Sequence, residues 1–145
     1  MSNLLIVDDE QSYRQLLSLV FEGDGHNIRT AMNGREALLM LQEDSADVII
    51  SDVKMPDMDG IELLNAVREE LPDIGFVLMT AFATVDTARE AFKLGADDFI
   101  QKPFDVEELK AIVKKALEKQ ELIAENKAFK KAQRERGSIR NIIGH

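Results

Sequence analysis

Cysteine is absent from this 145-residue chain, so no disulfide can staple it and no thiolate can hold a metal. Long apolar runs are absent too. No segment approaches the length needed to cross a bilayer. Met1-Ser2-Asn3 leads straight into a short apolar run, without the basic region and long apolar stretch of a signal peptide, so a cytoplasmic chain with no membrane partner is expected. Basic residues are scarce where the chain is richest in acids. Residues 1–104 hold 8 Lys and Arg against 20 Asp and Glu, which argues against direct nucleic-acid binding, because neutralising phosphates needs a basic face. The balance changes over residues 105–136, with 9 basic against 7 acidic residues, and marks a change of role near Asp105.

What is present suits one globular domain. Hydrophobic residues make up 45% and charged residues 31%, and the chain is long enough to bury a core. The run Val48-Ile49-Ile50 has the branched, uncharged character of a strand buried on both faces, and it ends on Asp52 before the turn Lys54-Met55-Pro56. Leu4-Leu5-Ile6-Val7 is a similar run ending in Asp8, Asp9 and Glu10. Between them, Tyr13, Leu16, Leu17, Val20 and Phe21 recur at helical spacing up to Gly23-Asp24-Gly25. Asn27–Ala31 is a short strand, Asn33-Gly34 a turn and cap, and Ala37, Leu38 and Leu41 the stripe of a second helix.

After the Asp52 strand, Ile61, Leu64, Val67 and Leu71 predict a third helix stopped by Pro72. Gly75–Thr80 reads as a fourth strand ending on a hydroxyl. Val85, Ala88, Ala91, Phe92 and Leu94 then predict a helix capped by Gly95, and Phe99-Ile100 a fifth strand before Gln101, Lys102 and Pro103. Strands alternating with helices predict an α/β fold: a flavodoxin-like, doubly wound, five-stranded parallel sheet in the order 2-1-3-4-5, with an extended C-terminal helix. That order would bring Asp8, Asp9, Asp52, Thr80 and Lys102 to one crevice at the carboxyl edge of the sheet. Ligands bind at that edge in open α/β sheets.

The acid pair after the first strand, Asp52 after the third, Thr80-Ala81 after the fourth and Lys102-Pro103 after the fifth resemble the signature of the two-component response-regulator receiver domain. The resemblance covers roughly residues 3–120. It implies that Asp52 accepts a phosphoryl group from a sensor histidine kinase, with Mg²⁺ as cofactor. By the same resemblance Asp9, Asp52 and the backbone carbonyl of Lys54 hold the ion, and Asp8 acts through its bound water. Lys102 then contacts the phosphoryl oxygens, Thr80 and Phe99 form the switch, and Pro103 follows a cis peptide. Crowded acids repel one another by roughly 4 kcal/mol at 4 Å and an effective dielectric near 20. Asp8→Asn is therefore expected to stabilise the metal-free protein.

From Val106 the pattern is helical to Gly137, with Asp105 as N-cap. This divides the chain into a receiver over 1–120 and a helical linker over 121–137. Leu122, Ile123, Ala124, Ala128 and Phe129 lie past the end of a fifth helix and need cover, either from a coiled coil in a homodimer or as a solvated linker. Over 138–145, Asn141-Ile142-Ile143-Gly144 resembles the opening of the AAA+ domain of NtrC-type, sigma-54-dependent activators, whose ATPase and DNA-binding domains would then be absent from this chain. A phosphatase with an aspartyl nucleophile needs an acid two residues after it, where Lys54 stands. An FMN carrier would find its phosphate repelled by Asp8-Asp9-Glu10. The remaining alternative is a stand-alone or degenerate receiver that works as a protein-binding module.

Overall fold

The computed structural model describes residues 2–135. Five strands, β1 (Asn3–Val7), β2 (Asn27–Ala31), β3 (Val48–Asp52), β4 (Gly75–Thr80) and β5 (Asp98–Gln101), alternate with five helices, α1 (Gln11–Gly23), α2 (Gly34–Glu43), α3 (Gly60–Glu70), α4 (Val85–Lys93) and α5 (Val106–Glu135). The strands form one parallel sheet in the order β2-β1-β3-β4-β5, as the sequence predicts.

Alternation along each strand gives the sheet two apolar faces. Leu5, Val7, Ile49, Phe76 and Leu78 pack on one side against α2 and α3, through Ala37, Leu41, Leu63, Leu64 and Val67. Leu4, Ile6, Val48, Ile50, Val77 and Met79 pack on the other against Leu17 and Phe21 of α1 and Leu109, Val113 and Ala116 of α5. Because β1, β3 and β4 are covered on both faces, their apolar runs are nearly continuous.

The helix starts are set locally. Asn33 accepts the Glu36 backbone N–H at 2.8 Å, and Asp59 with Glu62 closes a reciprocal capping box. Thr84 caps α4, and the Asp105 side chain accepts the Glu107 N–H at 2.9 Å at the start of α5. Gly95, at φ +103°, ends α4 in a conformation that other residues rarely adopt.

Three residues assigned to core stripes are instead exposed: Leu16 at 42%, Val85 at 73% and Phe92 at 50%. The reason for α4 is its place beside β5 at the sheet edge, where Ala91 is the helix's sole buried residue. Leu17 and Phe21 cover the sheet from α1 and leave Leu16 on the solvent side.

At the edge opposite the strand C-termini, Asp97 joins three elements. It accepts the Phe76 N–H at 2.8 Å, faces Arg68 of α3 at 3.3 Å and meets Lys119 of α5 at 2.7 Å. Past that contact α5 runs on unbroken to Glu135, and Leu122 is 60% exposed. The break at Gly137 and the domain start expected over 138–145 lie outside the described residues. No described helix is long and apolar enough to cross a membrane.

Candidate functional site

Parallel register brings the predicted side chains together. Val7 pairs with Ser51, Asp52 with Met79 and Thr80 with Gln101, so Asp8, Asp52, Thr80 and Lys102 leave the sheet at the same edge. All four are buried, together with Ser51, whose hydroxyl donates to the Asp52 carbonyl at 2.9 Å. Buried charges are tolerated when paired, and these are. The Lys102 ammonium donates to Asp8 Oδ2 at 2.7 Å and to Asp52 Oδ2 at 3.3 Å.

Neighbouring backbone holds the acids in place. Asp8 Oδ1 accepts the Glu10 N–H at 2.9 Å, and Arg14 donates to the Asp8 carbonyl. Behind Asp52 the fit is closer still: a Cβ at Gly60 would lie 2.2 Å from the Asp52 carbonyl oxygen, so only glycine lets α3 start there.

Burial raises the Asp52 carboxyl above its ordinary value of 3.8; the Lys102 charge opposes this and the Asp8 charge adds to it. Burial pulls the Lys102 ammonium down, but the hydrogen bond and charge of Asp8, joined by Asp52, outweigh it and hold the group above 10.5. The repulsion expected among the acids is thus met by a buried cation.

The acidic group differs in membership from the one the sequence assigns. Carboxylate oxygens of Asp8, Glu10 and Asp52 lie within 4.8 Å of one another, whereas Asp9 is exposed and stands outside this group. Glu10 occupies the N-cap position of α1 without capping it, which leaves its carboxylate free to face the crevice. The third acid of the Asp8-Asp9-Glu10 run was the available signal: residues i and i+2 of an extended segment share a side. An all-oxygen, anionic set of this kind suits a hard divalent cation such as Mg²⁺.

The remaining assigned residues surround this centre. Thr80 Oγ1 accepts the Phe82 N–H at 3.1 Å. The exposed Lys54 places its ammonium 4.6 Å from the centre of the Phe82 ring, itself 66% exposed. Phe99 is half-buried against the core on the α2 and α3 side, and the Lys102-Pro103 peptide is cis.

Comparison with known proteins agrees with this geometry. Residues 4–114 match the response regulator receiver domain family. The chain is 43% identical over 121 residues to Regulatory protein AtoC of Escherichia coli, covering 83% of this chain and 26% of AtoC. It is 36% identical over 115 residues to the DNA-binding transcriptional regulator NtrC of Proteus hauseri, covering 79% of this chain and 24% of that protein. Among solved structures, NtrX from Brucella abortus superposes with a TM-score of 0.82 at 29% identity, over 88% of this chain and 29% of NtrX. The chain therefore spans about a quarter of the length of these curated relatives. It belongs to the response regulator receiver family, and is a phosphoacceptor regulatory domain of two-component signalling rather than an enzyme.

Proposed function

We propose that Asp52 accepts a phosphoryl group from the histidine of a sensor kinase, and that the modified domain controls a transcriptional output through α5. The observation that carries this is the buried Lys102 ammonium held between Asp8 and Asp52, at 2.7 and 3.3 Å, at the mouth of the sheet. In the transfer an Asp52 oxygen attacks phosphorus as the bond to the donor histidine nitrogen breaks, and the nitrogen retains the electron pair. Lys102 is placed to meet the charge on the phosphoryl oxygens. Asp8 orients Lys102 and fixes the backbone of Glu10. Bound Mg²⁺ supplies the further positive charge that a carboxylate needs to approach an anionic phosphoryl group. Asp8, Glu10 and Asp52 offer it carboxylates, with Asp9 and the backbone carbonyl of Lys54 as the other donors that the family resemblance names.

Thr80 carries the response. Its hydroxyl, engaged with the Phe82 N–H, would turn toward the new phosphoryl oxygens, draw the loop before α4 inward and open space for Phe99. The relatives named as transcriptional regulators favour an output of that kind, and the resemblance of residues 138–145 to an AAA+ opening narrows it to sigma-54-dependent activation. Residues 1–120 would then be the receiver and 121–137 the linker. The exposed Leu122 on the outgoing helix favours a homodimer joined through that linker.

Incubation with acetyl phosphate, followed by intact mass, tests the chemistry. One phosphoryl adduct is expected with Mg²⁺, none in chelator and none on Asp52→Asn. An adduct that survives Asp52→Asn would overturn the assignment. Sedimentation of the phosphorylated chain tests the output: a monomer before and after modification would favour the stand-alone binding module.

A further inference from the structure

Lys102 has a third neighbour that the proposed chemistry does not use. Its ammonium lies 3.8 Å from the centre of the Tyr13 ring. An ammonium has three N–H donors, and Asp8 and Asp52 take two of them. The side facing Tyr13 meets an aromatic face, which attracts the cation without accepting a proton or competing for its place between the carboxylates. The ring is itself braced. Tyr13 stands in the first turn of α1, and its ring lies 6.0 Å from that of Phe104, which packs against the core beneath α1 and α5.

Resting on the proposed transfer to Asp52, we propose that Tyr13 is a positioning residue for that reaction: its ring holds the Lys102 ammonium in the crevice, oriented toward the carboxylates. Lysine has a flexible four-carbon stem, so a point charge of this kind is placed only by what surrounds it. Asp8 sets its distance from one side, and the Tyr13 ring closes the other. A phosphoryl group arriving on Asp52 then meets an ammonium already in reach, which can pass from the Asp52 oxygen to a phosphoryl oxygen while keeping both Asp8 and the ring. The alternative is that Tyr13 only fills space beside Phe104.

The two are separated by a double-mutant cycle on the full chain, with acetyl phosphate and Mg²⁺ as probes. Tyr13→Leu is expected to slow phosphorylation about thirtyfold, the size of a desolvated cation–π contact, while Tyr13→Phe keeps the ring face and the rate. In a Lys102→Met background, Tyr13→Leu is expected to change nothing further. A space-filling role would instead slow both backgrounds alike, and that result overturns the proposal, as does an undiminished rate for Tyr13→Leu.

A second readout needs no phosphorylation. Tyr13 is the only tyrosine in a chain without tryptophan, so tyrosine emission reports this ring alone. Emission of the resting protein is expected to change on Lys102→Met, and identical emission counts against the contact. Failure of the wild type to accept phosphoryl at all would overturn the parent reading and this one together. That outcome is distinct from a wild type that reacts and a Tyr13→Leu variant that matches it.

Discussion

Lys102 is bonded more closely to Asp8 than to Asp52, 2.7 Å against 3.3 Å, so the cation is anchored on Asp8 and leans toward the proposed acceptor. This reverses the expectation that Asp8 only repels its neighbours. Asp8 is fully buried and carries both the Lys102 and the Glu10 hydrogen bonds. Asp8→Asn keeps an acceptor for Glu10 but removes the charge that Lys102 faces. It is expected to lower stability in chelator by about 1–3 kcal/mol, Asp52 remaining as a partner. Thermal unfolding without metal checks this, and a raised melting temperature would restore the repulsion account.

Asp52 shows the opposite balance. Burial holds its carboxyl above 3.8, so the folded protein favours the protonated form more than the unfolded chain does. The stability linked to that form is fully present below 3.8 and is lost as pH rises through the higher folded value. Asp52→Asn is accordingly expected to melt above the wild type at neutral pH in chelator, with the gap closing as pH falls toward 3.8. A gap that stays constant or widens on acidification would contradict this.

Gly60 links the site to the fold. A methyl group there would meet the Asp52 carbonyl oxygen at 2.2 Å, against backbone rather than a movable side-chain tip. Gly60→Ala is expected to cost about 2 kcal/mol or more and to slow phosphorylation by displacing the end of β3. Denaturant unfolding and the acetyl phosphate rate check the two parts. Unchanged values in both would show that α3 can withdraw freely.

Asp97 makes a prediction remote from the chemistry. Its side chain, 10% exposed, serves the Phe76 N–H, Arg68 and Lys119. Asp97→Ala takes the carboxylate acceptor from the buried Phe76 amide and the ion partner from Arg68, whose guanidinium keeps the Gly95, Pro72 and Ile74 carbonyls, and is expected to cost about 1–3 kcal/mol in chemical denaturation. Lys119 is the exposed member, so Lys119→Ala should cost well under about 1 kcal/mol. Equal losses in the two variants would mean that Asp97 acts mainly on α5.

The contrast between Asp52 and Asp97 shows what the sequence discloses. Asp52, Asp8, Thr80 and Lys102 each follow an apolar strand, and parallel pairing in the order 2-1-3-4-5 carries strand ends to one edge without further information. Asp97 and Arg68 meet across 29 residues through a helix and a loop, and no local pattern records that. In sequence Tyr13 is one more member of a helical stripe; its position over Lys102 depends on the angle at which α1 lies on the sheet. Glu10 rather than Asp9 faces Asp8 and Asp52 because of how the chain turns into α1, a matter of a single residue in an acidic run. The exposure of Val85 and Phe92 likewise reflects the edge position of α4, not its periodicity.

The central claim is that Asp52 is the acceptor, and the most direct measurement locates the phosphoryl group. Borohydride reduces an aspartyl phosphate to homoserine, so treatment after acetyl phosphate and Mg²⁺, followed by peptide mapping, marks the modified residue. Homoserine in place of Asp52 and nowhere else is the expected result. Homoserine in place of Asp8 or Asp9, or no conversion of a protein that carries the adduct, would contradict the account.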